Sequence, residues 1–465
     1  DYYASRGLGD VYKRQGESMT FETKGKENNG ATYGRRSDWQ DLYSIAKKYY
    51  EALLADPGNA LFHLTDPRGA SDKSGRTFNN PYQYFFEQMH MDDAIYADES
   101  IYEYPMQQGG GNDGRPYSFG RPSSGGSKAA YPCKSYGQGR INPAYFYGVF
   151  DPNDMRRDVS ITMTGSNGKG VEKLIPFVPN SKAEGGGLTL NKWDENRQAN
   201  PWVAAQRKSG INGPYMRMSE VYLGYAEVCA ALGDVVTGKQ YLKTVRERSF
   251  PQGLANTDAF IASFGNDLVR AIIEERGFEY AGEGDRRWTL IRSGYLPEDI
   301  KRIKDMTKAM MDGLATKGYY EFENGNIISA YIWTKLVDAK TIYGHRLTAQ
   351  CPTDKVNDPV LYPGWRGQKD NWEEMGLNYG SSTPATNLAI KGLFEIVSEE
   401  EAASLESQGY TKVNWGIDLV DNRDEYDKYL FWDYDYVSAP IYLWPFTPNV
   451  MAAGGFTNGY GFKQE

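Results

Sequence analysis

Two stretches constrain the fold more than the rest of the chain: R-M-S-E-V-Y-L-G-Y-A-E at 217–227 and I-I-E-E-R-G-F-E-Y-A-G-E-G-D-R-R-W-T-L-I-R at 272–292. In the first, Met218, Val221, Tyr222, Tyr225, Cys229 and Leu232 recur at steps of three and four. That spacing predicts a helix over 217–232 with one apolar stripe, leaving Glu220 and Glu227 off it. Gly233-Asp234 then supplies a helix stop. A second helix over 238–248 puts Tyr241, Leu242, Val245 and Arg248 on a shared face. Two antiparallel helices joined by a short turn are the unit of helical repeat folds. Gly224, Ala226 and Ala230 are small enough to let the two axes come close. An ordinary helical hairpin within a core would show the same periodicity.

In the second stretch, Leu268, Ala271, Ile272, Glu275 and Phe278 share one helical side. Gly282 and Gly284 break the helix, and Asp285 is placed to cap a following one that carries Trp288, Leu290 and Ile291. Acids and arginines alternate through Glu274, Glu275, Arg276, Glu279, Glu283, Asp285, Arg286 and Arg287. Such a run is usually a solvated face, worth little per pair. Here apolar residues are interleaved so closely that some charges must face protein. The expectation is a partly buried Arg–carboxylate network that fixes the bend between helices, with a structural role.

These motifs resemble the SusD/RagB family. Its R-x-x-E-x-x-L-x-Y-A-E helix is matched by Arg217, Glu220, Leu223, Tyr225, Ala226 and Glu227. The V-R-x-R that follows is met by Val245, Arg246 and Arg248. The E-R-x-x-E-x-x-x-E-G-x-R run is met by Glu275, Arg276, Glu279, Glu283, Gly284 and Arg286 or Arg287, continuing to Trp288, Leu290 and Arg292; Thr289 stands where the family has Asp. A-P-I-Y-L-W-P-F-T-P-N at 439–449 is similar to the closing segment of these proteins, with Phe446 and Asn449 replacing the usual residues. D-P-N-D-M-R-R-D at 151–158 and E-S-I-Y-E at 99–103 are similar to two earlier segments. The resemblance implies a mainly α fold: tetratricopeptide-like helical hairpins carrying large irregular loop insertions.

Elsewhere, Trp39, Leu42, Ile45, Tyr49 and Leu53 predict a helix over 37–55 with Ser37 as cap. Tyr82, Phe85, Phe86 and Met89 predict a short helix. Glycine, proline and aromatics dominate 104–216, where helical periodicity fades. Helices are expected again at 217–248, 258–280, 285–293, 297–312 and 397–408, the last capped by Ser398 with acids in its first turn. Y-I-W-T at 331–334 reads as a strand. Gly165-Ser166-Asn167-Gly168-Lys169-Gly170 lacks the spacing of a phosphate cradle and reads as a turn or hairpin tip.

The 465 residues are enough for two or three domains by length, yet no linker or charge block divides them. We read a single SusD-like domain over 16–465. Residues 1–15 look like translated adapter sequence and are taken as a non-native leader. Family members carry a signal peptide, a lipidated cysteine and several helices ahead of the region that begins here, so the native N-terminal part is expected to be missing. The same locus read from an independent genome tests this; a native start codon just upstream would refute it.

The net charge of −9 without a Lys/Arg cluster disfavours nucleic acid, whose phosphates need a basic surface. The three cysteines, Cys133, Cys229 and Cys351, form no C-x-x-C pair, and Cys229 reads as a buried thiol. Only His63, His90 and His345 are available, with no H-E-x-x-H and no G-x-S-x-G, so no metal-ligand residues are singled out and no cofactor is expected, while a structural metal is left open. Among 61 acidic residues some pair falls at almost any separation, and none is singled out for glycoside hydrolysis. The expectation is a protein that is not an enzyme.

With 36 Tyr, 19 Phe and 10 Trp, aromatics could fill a helical core or line a sugar platform. A pyranose presents C–H groups that pack on the negative face of an aromatic ring, and its hydroxyls need polar partners at the rim. Rings on irregular loops are favoured over rings on helical stripes. That rule selects Tyr117, Phe119, Tyr136 and Trp193, then Trp202, Trp365 and Trp372, with Asn112, Arg115 and Arg121 as rim partners. The resemblance implies a lipoprotein of the bacterial outer membrane, at the cell surface and attached only through an N-terminal lipid anchor. Its ligand would be an oligosaccharide or polysaccharide, and its partner a SusC-like TonB-dependent barrel. A helical glycoside hydrolase and a tetratricopeptide-like protein-binding scaffold stand as alternatives. Which glycan, or whether a peptide, is carried is left open by the sequence.

Overall fold

The computed structural model describes residues 19–20, 32–33, 38–67, 80–89, 96–107, 118–122, 135–166, 172–177, 187–194, 209–338, 386–424, 426 and 448–455. Its helices in chain order are α1 (Trp39–Ala55), α2 (Pro81–Gln88), a π-helical turn (Tyr145–Val149), α3 (Arg156–Ser160), α4 (Met218–Ala231), α5 (Val235–Glu247), α6 (Thr257–Ala262), α7 (Leu268–Glu279), α8 (Asp285–Ser293), α9 (Leu296–Lys317), α10 (Glu399–Ser407), α11 (Gly416–Asp421) and α12 (Pro448–Gly454). Strands are short. The largest sheet described is three-stranded and antiparallel, with Tyr331–Asp338 between Thr386–Lys391 and Thr411–Asn414. The mainly α fold with hairpins and irregular excursions is the one expected.

The hairpin of α4 and α5 is central. Asp234 caps α5 by accepting the Thr237 amide at 3.2 Å. A Cβ on Gly238 would lie 2.9 Å from the Ala226 carbonyl oxygen, so glycine lets the two axes approach. The single apolar stripe expected on α4 understates its burial. Glu220 and Glu227 are buried with the apolar residues, because α1, α5 and α7 cover the helix on several sides. Glu227 accepts both Arg292 nitrogens at 2.6 and 2.8 Å, and Glu220 pairs with Arg276 at 3.4 Å. Helix α7 is more enclosed still: all of it except Val269 is buried.

Several local expectations are corrected. Helix α1 packs through Trp39, Tyr43, Ala46, Tyr50 and Leu54, while Ile45 and Tyr49 point outward at 40% and 68% exposure. The inward stripe is rotated because Tyr50 fills the space over Gly224, where a Cβ would meet its hydroxyl at 2.4 Å. Ser37 lies outside the described residues. The segment 258–280 is two helices, separated where Gly265 and Asn266 both take positive φ. Asn256 and Asp267 cap them. Asp285 is not a cap. Gly284, in the left-handed region at φ +89°, starts α8, and the Asp285 carboxylate instead accepts Arg276 at 2.7 Å and Thr289 at 2.8 Å.

Other readings hold. Ser398 caps α10 through the Glu401 amide at 3.2 Å. Thr164–Ser166 pairs antiparallel with Glu172–Leu174, so Gly165 and Ser166 belong to a strand, and the rest of the expected tip, 167–170, lies outside the described residues. Cys229 is buried, and burial pushes its thiol pKa up. The main apolar core gathers Phe146, Tyr147, Phe150, Met310, Phe322 and Trp415 around the π-helical turn, with Trp415 Nε1 donating to the Tyr147 hydroxyl at 2.8 Å. Among the described residues no helix is long and apolar enough to cross a membrane.

Candidate functional site

The expected charge network is present and lies deeper than expected. Glu279, the last residue of α7, accepts Arg156 at 3.0 Å, Arg217 at 2.5 Å and Arg248 at 2.7 Å. These arginines come from α3, the residue before α4 and the residue after α5, so one carboxylate ties three elements to a fourth. Glu275 forms an ion pair with Arg156 at 2.7 Å and accepts Arg246 at 2.9 Å, and Glu99 accepts Arg217 at 3.0 Å and Arg248 at 2.5 Å. Burial pushes the Glu274 carboxyl up, but Arg286 and Arg302 outweigh it and pull its pKa down to about 2. Glu279 is driven lower still by Arg248, Arg217 and Arg156 against the same burial. Carboxylates held this firmly ionised are poor proton donors. They specify how the helices meet.

Beside this network three loop segments knit together. The Arg121 amide donates to the Trp193 carbonyl at 2.7 Å, and the Gln138 amide to Ser118 at 2.6 Å. The Ile141 amide donates to Leu188 at 3.0 Å, and the Thr189 hydroxyl to Gly137 at 3.1 Å. The glycines of this region permit that contact. A Cβ on Gly137 (φ +57°) would sit 2.4 Å from Pro122 Cγ, and one on Gly139 would sit 2.6 Å from Leu190 Cδ1. From the helical side, a Cβ on Gly282 (φ +81°) would sit 2.4 Å from Leu190 Cδ2. Leu190 is thus cradled between a loop glycine, Gly139, and Gly282 in the turn between α7 and α8.

Where loops and helices meet, a cleft of about 490 Å³ opens. That size is typical of small-ligand sites. Phe119 and Trp193, both selected from the sequence, line it together with Leu190, Ile141 and Tyr280. Phe119 is 46% exposed, whereas Trp193 is 3% exposed and also packs in a core cluster with Tyr82, Phe85 and Phe86. Polar lining comes from Arg140, Glu283, Arg286 and Arg287. Glu283 accepts Lys192 at 2.6 Å and Arg217 at 3.0 Å. Burial lowers the Lys192 pKa to about 8 although Glu283 opposes it, and the ammonium lies 4.7 Å from the Phe86 ring centroid.

Arg121, expected at a rim, lies inside. It is 2% exposed and donates to the Thr164 hydroxyl at 3.0 Å, with Asp194 at 3.8 Å. The turn of 118–122 against 187–194 directs it inward while Phe119 faces out. Tyr136 is half-buried and does not line the cleft. Tyr117, Trp202, Trp365, Trp372, Asn112 and Arg115 lie outside the described residues. Sequence reasoning did not select Arg140, Arg286 and Arg287 for this site. The signal available for two of them is the G-E-G-D break followed by Arg286 and Arg287.

A rigid helical wall with a loop-built aromatic cleft at its edge defines a scaffold of the helical-repeat class. The sequence model of the SusD family matches residues 65–445, and the chain belongs to that family. The SusD-like protein P25 of Formosa agariphila is 28% identical over 160 residues, 34% of this chain and 26% of that one. A solved SusD homologue from Bacteroides thetaiotaomicron aligns with TM-score 0.41 at 17% identity, covering 57% of this chain and 52% of that one. The surface glycan-binding protein A of the same organism, solved in complex with laminarihexaose, aligns with TM-score 0.36 at 18% identity, covering 59% and 58%. The chain thus spans about a quarter of the curated relative and little more than half of these solved structures.

Proposed function

We propose that this protein captures an oligosaccharide or polysaccharide at the cell surface and hands it to a SusC-like TonB-dependent barrel, over which it sits as a lid. It would be held at the outer membrane by an N-terminal lipid anchor, as family members are. The carrying observation is membership of the SusD family across residues 65–445. The cleft supports the reading chemically: Phe119 offers an exposed ring face for the C–H side of a pyranose, and Trp193 forms a stiff apolar floor. Phe119 and Trp193 are the leading contacts, and Tyr117, Trp202, Trp365 and Trp372 are further proposed ligand residues on their sequence context alone.

Binding without turnover is the reading we favour, because the carboxylate that lines the cleft, Glu283, is committed to Lys192 and Arg217. Shallow stacking gives weak, fast exchange, which suits hand-over. Affinity electrophoresis and calorimetry across a glycan panel test the reading. Retardation by at least one glycan is expected, with Phe119→Ala weakening it about fivefold, the value of one aromatic contact worth about 1 kcal/mol. Release of reducing ends, abolished by one carboxylate substitution, would favour the hydrolase instead.

A further inference from the structure

Resting on that reading of the cleft, we infer that Trp288 is a second sugar-stacking ring of the site, carried on α8 one helical turn beyond the cleft lining. Gly284 starts α8, and Gly284 and Arg287 both line the cleft. Residues three and four apart on a helix lie side by side, so positions 284, 287 and 288 share one face. Leu290 stands about 200° further round the helix from Trp288. It packs inward with Ile273 and Leu296, whereas Trp288 is 54% exposed.

A helical side chain leans toward the N-terminal end of its helix and covers the turn before its own Cα. For Trp288 that turn begins at Gly284. A Cβ on Gly284 would meet nothing within 4 Å among the described residues, so the space on the cleft side of the indole is open. Leu190 joins the two walls of the cleft: a Cβ on Gly139 would lie 2.6 Å from Leu190 and 3.4 Å from Phe119, and one on Gly282 would lie 2.4 Å from Leu190. Phe119 therefore stands on the loop wall, and Trp288 extends the helical wall. The buried tryptophans Trp193, Trp333 and Trp415 are at most 6% exposed. Leaving half of an indole in water forgoes a large apolar burial, which a sugar face would recover. A preference for rings on loops passes over Trp288, yet a helix holds a ring more precisely than a loop does.

The experiment is calorimetry and tryptophan fluorescence on the full chain with neutral oligosaccharides (laminari-, malto-, cello- and xylo-) and acidic ones (oligogalacturonides and alginate oligomers). For a glycan that binds, Trp288→Ala is expected to weaken affinity about fivefold. Trp288→Phe should restore most of that loss, with thermal unfolding little changed in both variants. The share of emission that Trp288→Phe removes should be shielded from acrylamide once glycan is bound, a signature that a purely structural role would not produce. A glycan bound equally well by wild type and Trp288→Ala overturns this inference and leaves glycan capture standing. Binding to no oligosaccharide of the panel overturns the glycan reading of the cleft and this inference with it.

Discussion

The helical wall and the loop-built cleft use charge and glycine in opposite ways. In the wall, arginines from α3, the start of α4 and the end of α5 converge on Glu279, and each charge is answered by a partner on another element. At the cleft, backbone hydrogen bonds and glycine contacts hold 118–122, 135–141 and 187–194, and Arg140, Arg286 and Arg287 are among the lining residues. The wall fails when a charge is left uncompensated. The cleft fails when a backbone cannot come close enough. One region fixes how helices cross, and the other fixes the shape of a surface.

The sharpest way to break the comparison is Glu279→Gln. It keeps the volume but leaves Arg156, Arg217 and Arg248 short of their shared carboxylate, an expected loss of about 3–5 kcal/mol in denaturant unfolding. A loss below about 1 kcal/mol would mean that packing, and not charge, sets the wall.

Acid should act on the same region. Glu274 has its pKa lowered from 4.5 to about 2, so its contribution is full above the unfolded value and is lost as pH falls from about 4.5 toward 2. The expected loss is on the order of 3 kcal/mol, read as a cooperative loss of helical circular dichroism within that window. Helices that persist through it unchanged would contradict the assignment.

Gly282→Ala tests the cleft side. The new Cβ would meet Leu190 at 2.4 Å and must hold φ +81°, costing about 1–3 kcal/mol. Adding Leu190→Ala is expected to relieve the clash but not the backbone strain, a non-additivity that a double-mutant cycle measures. The smallest effect belongs to the exposed pair of Lys301 and Asp305 on α9, 60% and 63% exposed. Lys301→Ala should change stability by no more than about 0.5 kcal/mol, marking the floor against which the buried pairs are judged.

The sequence by itself determined where the chain is helical around 217–232, 268–278 and 397–408, because apolar spacing and caps such as Ser398 act within a few residues. It also disclosed that the charges of 274–287 had to meet protein. What only the tertiary structure decided is how many sides of each helix are covered. Glu220 and Glu227 are inside because α1, α5 and α7 surround α4, and α1 turns Tyr50 inward because Gly224 leaves it room. The cleft belongs to the same class. Phe119, Arg140, Trp193 and Arg286 are dispersed along the chain, and Arg121 faces inward while Phe119, two residues earlier, does not. Periodicity is a property of local dihedral angles, whereas burial and convergence depend on contacts between segments far apart in sequence, and those form only when the whole chain has packed.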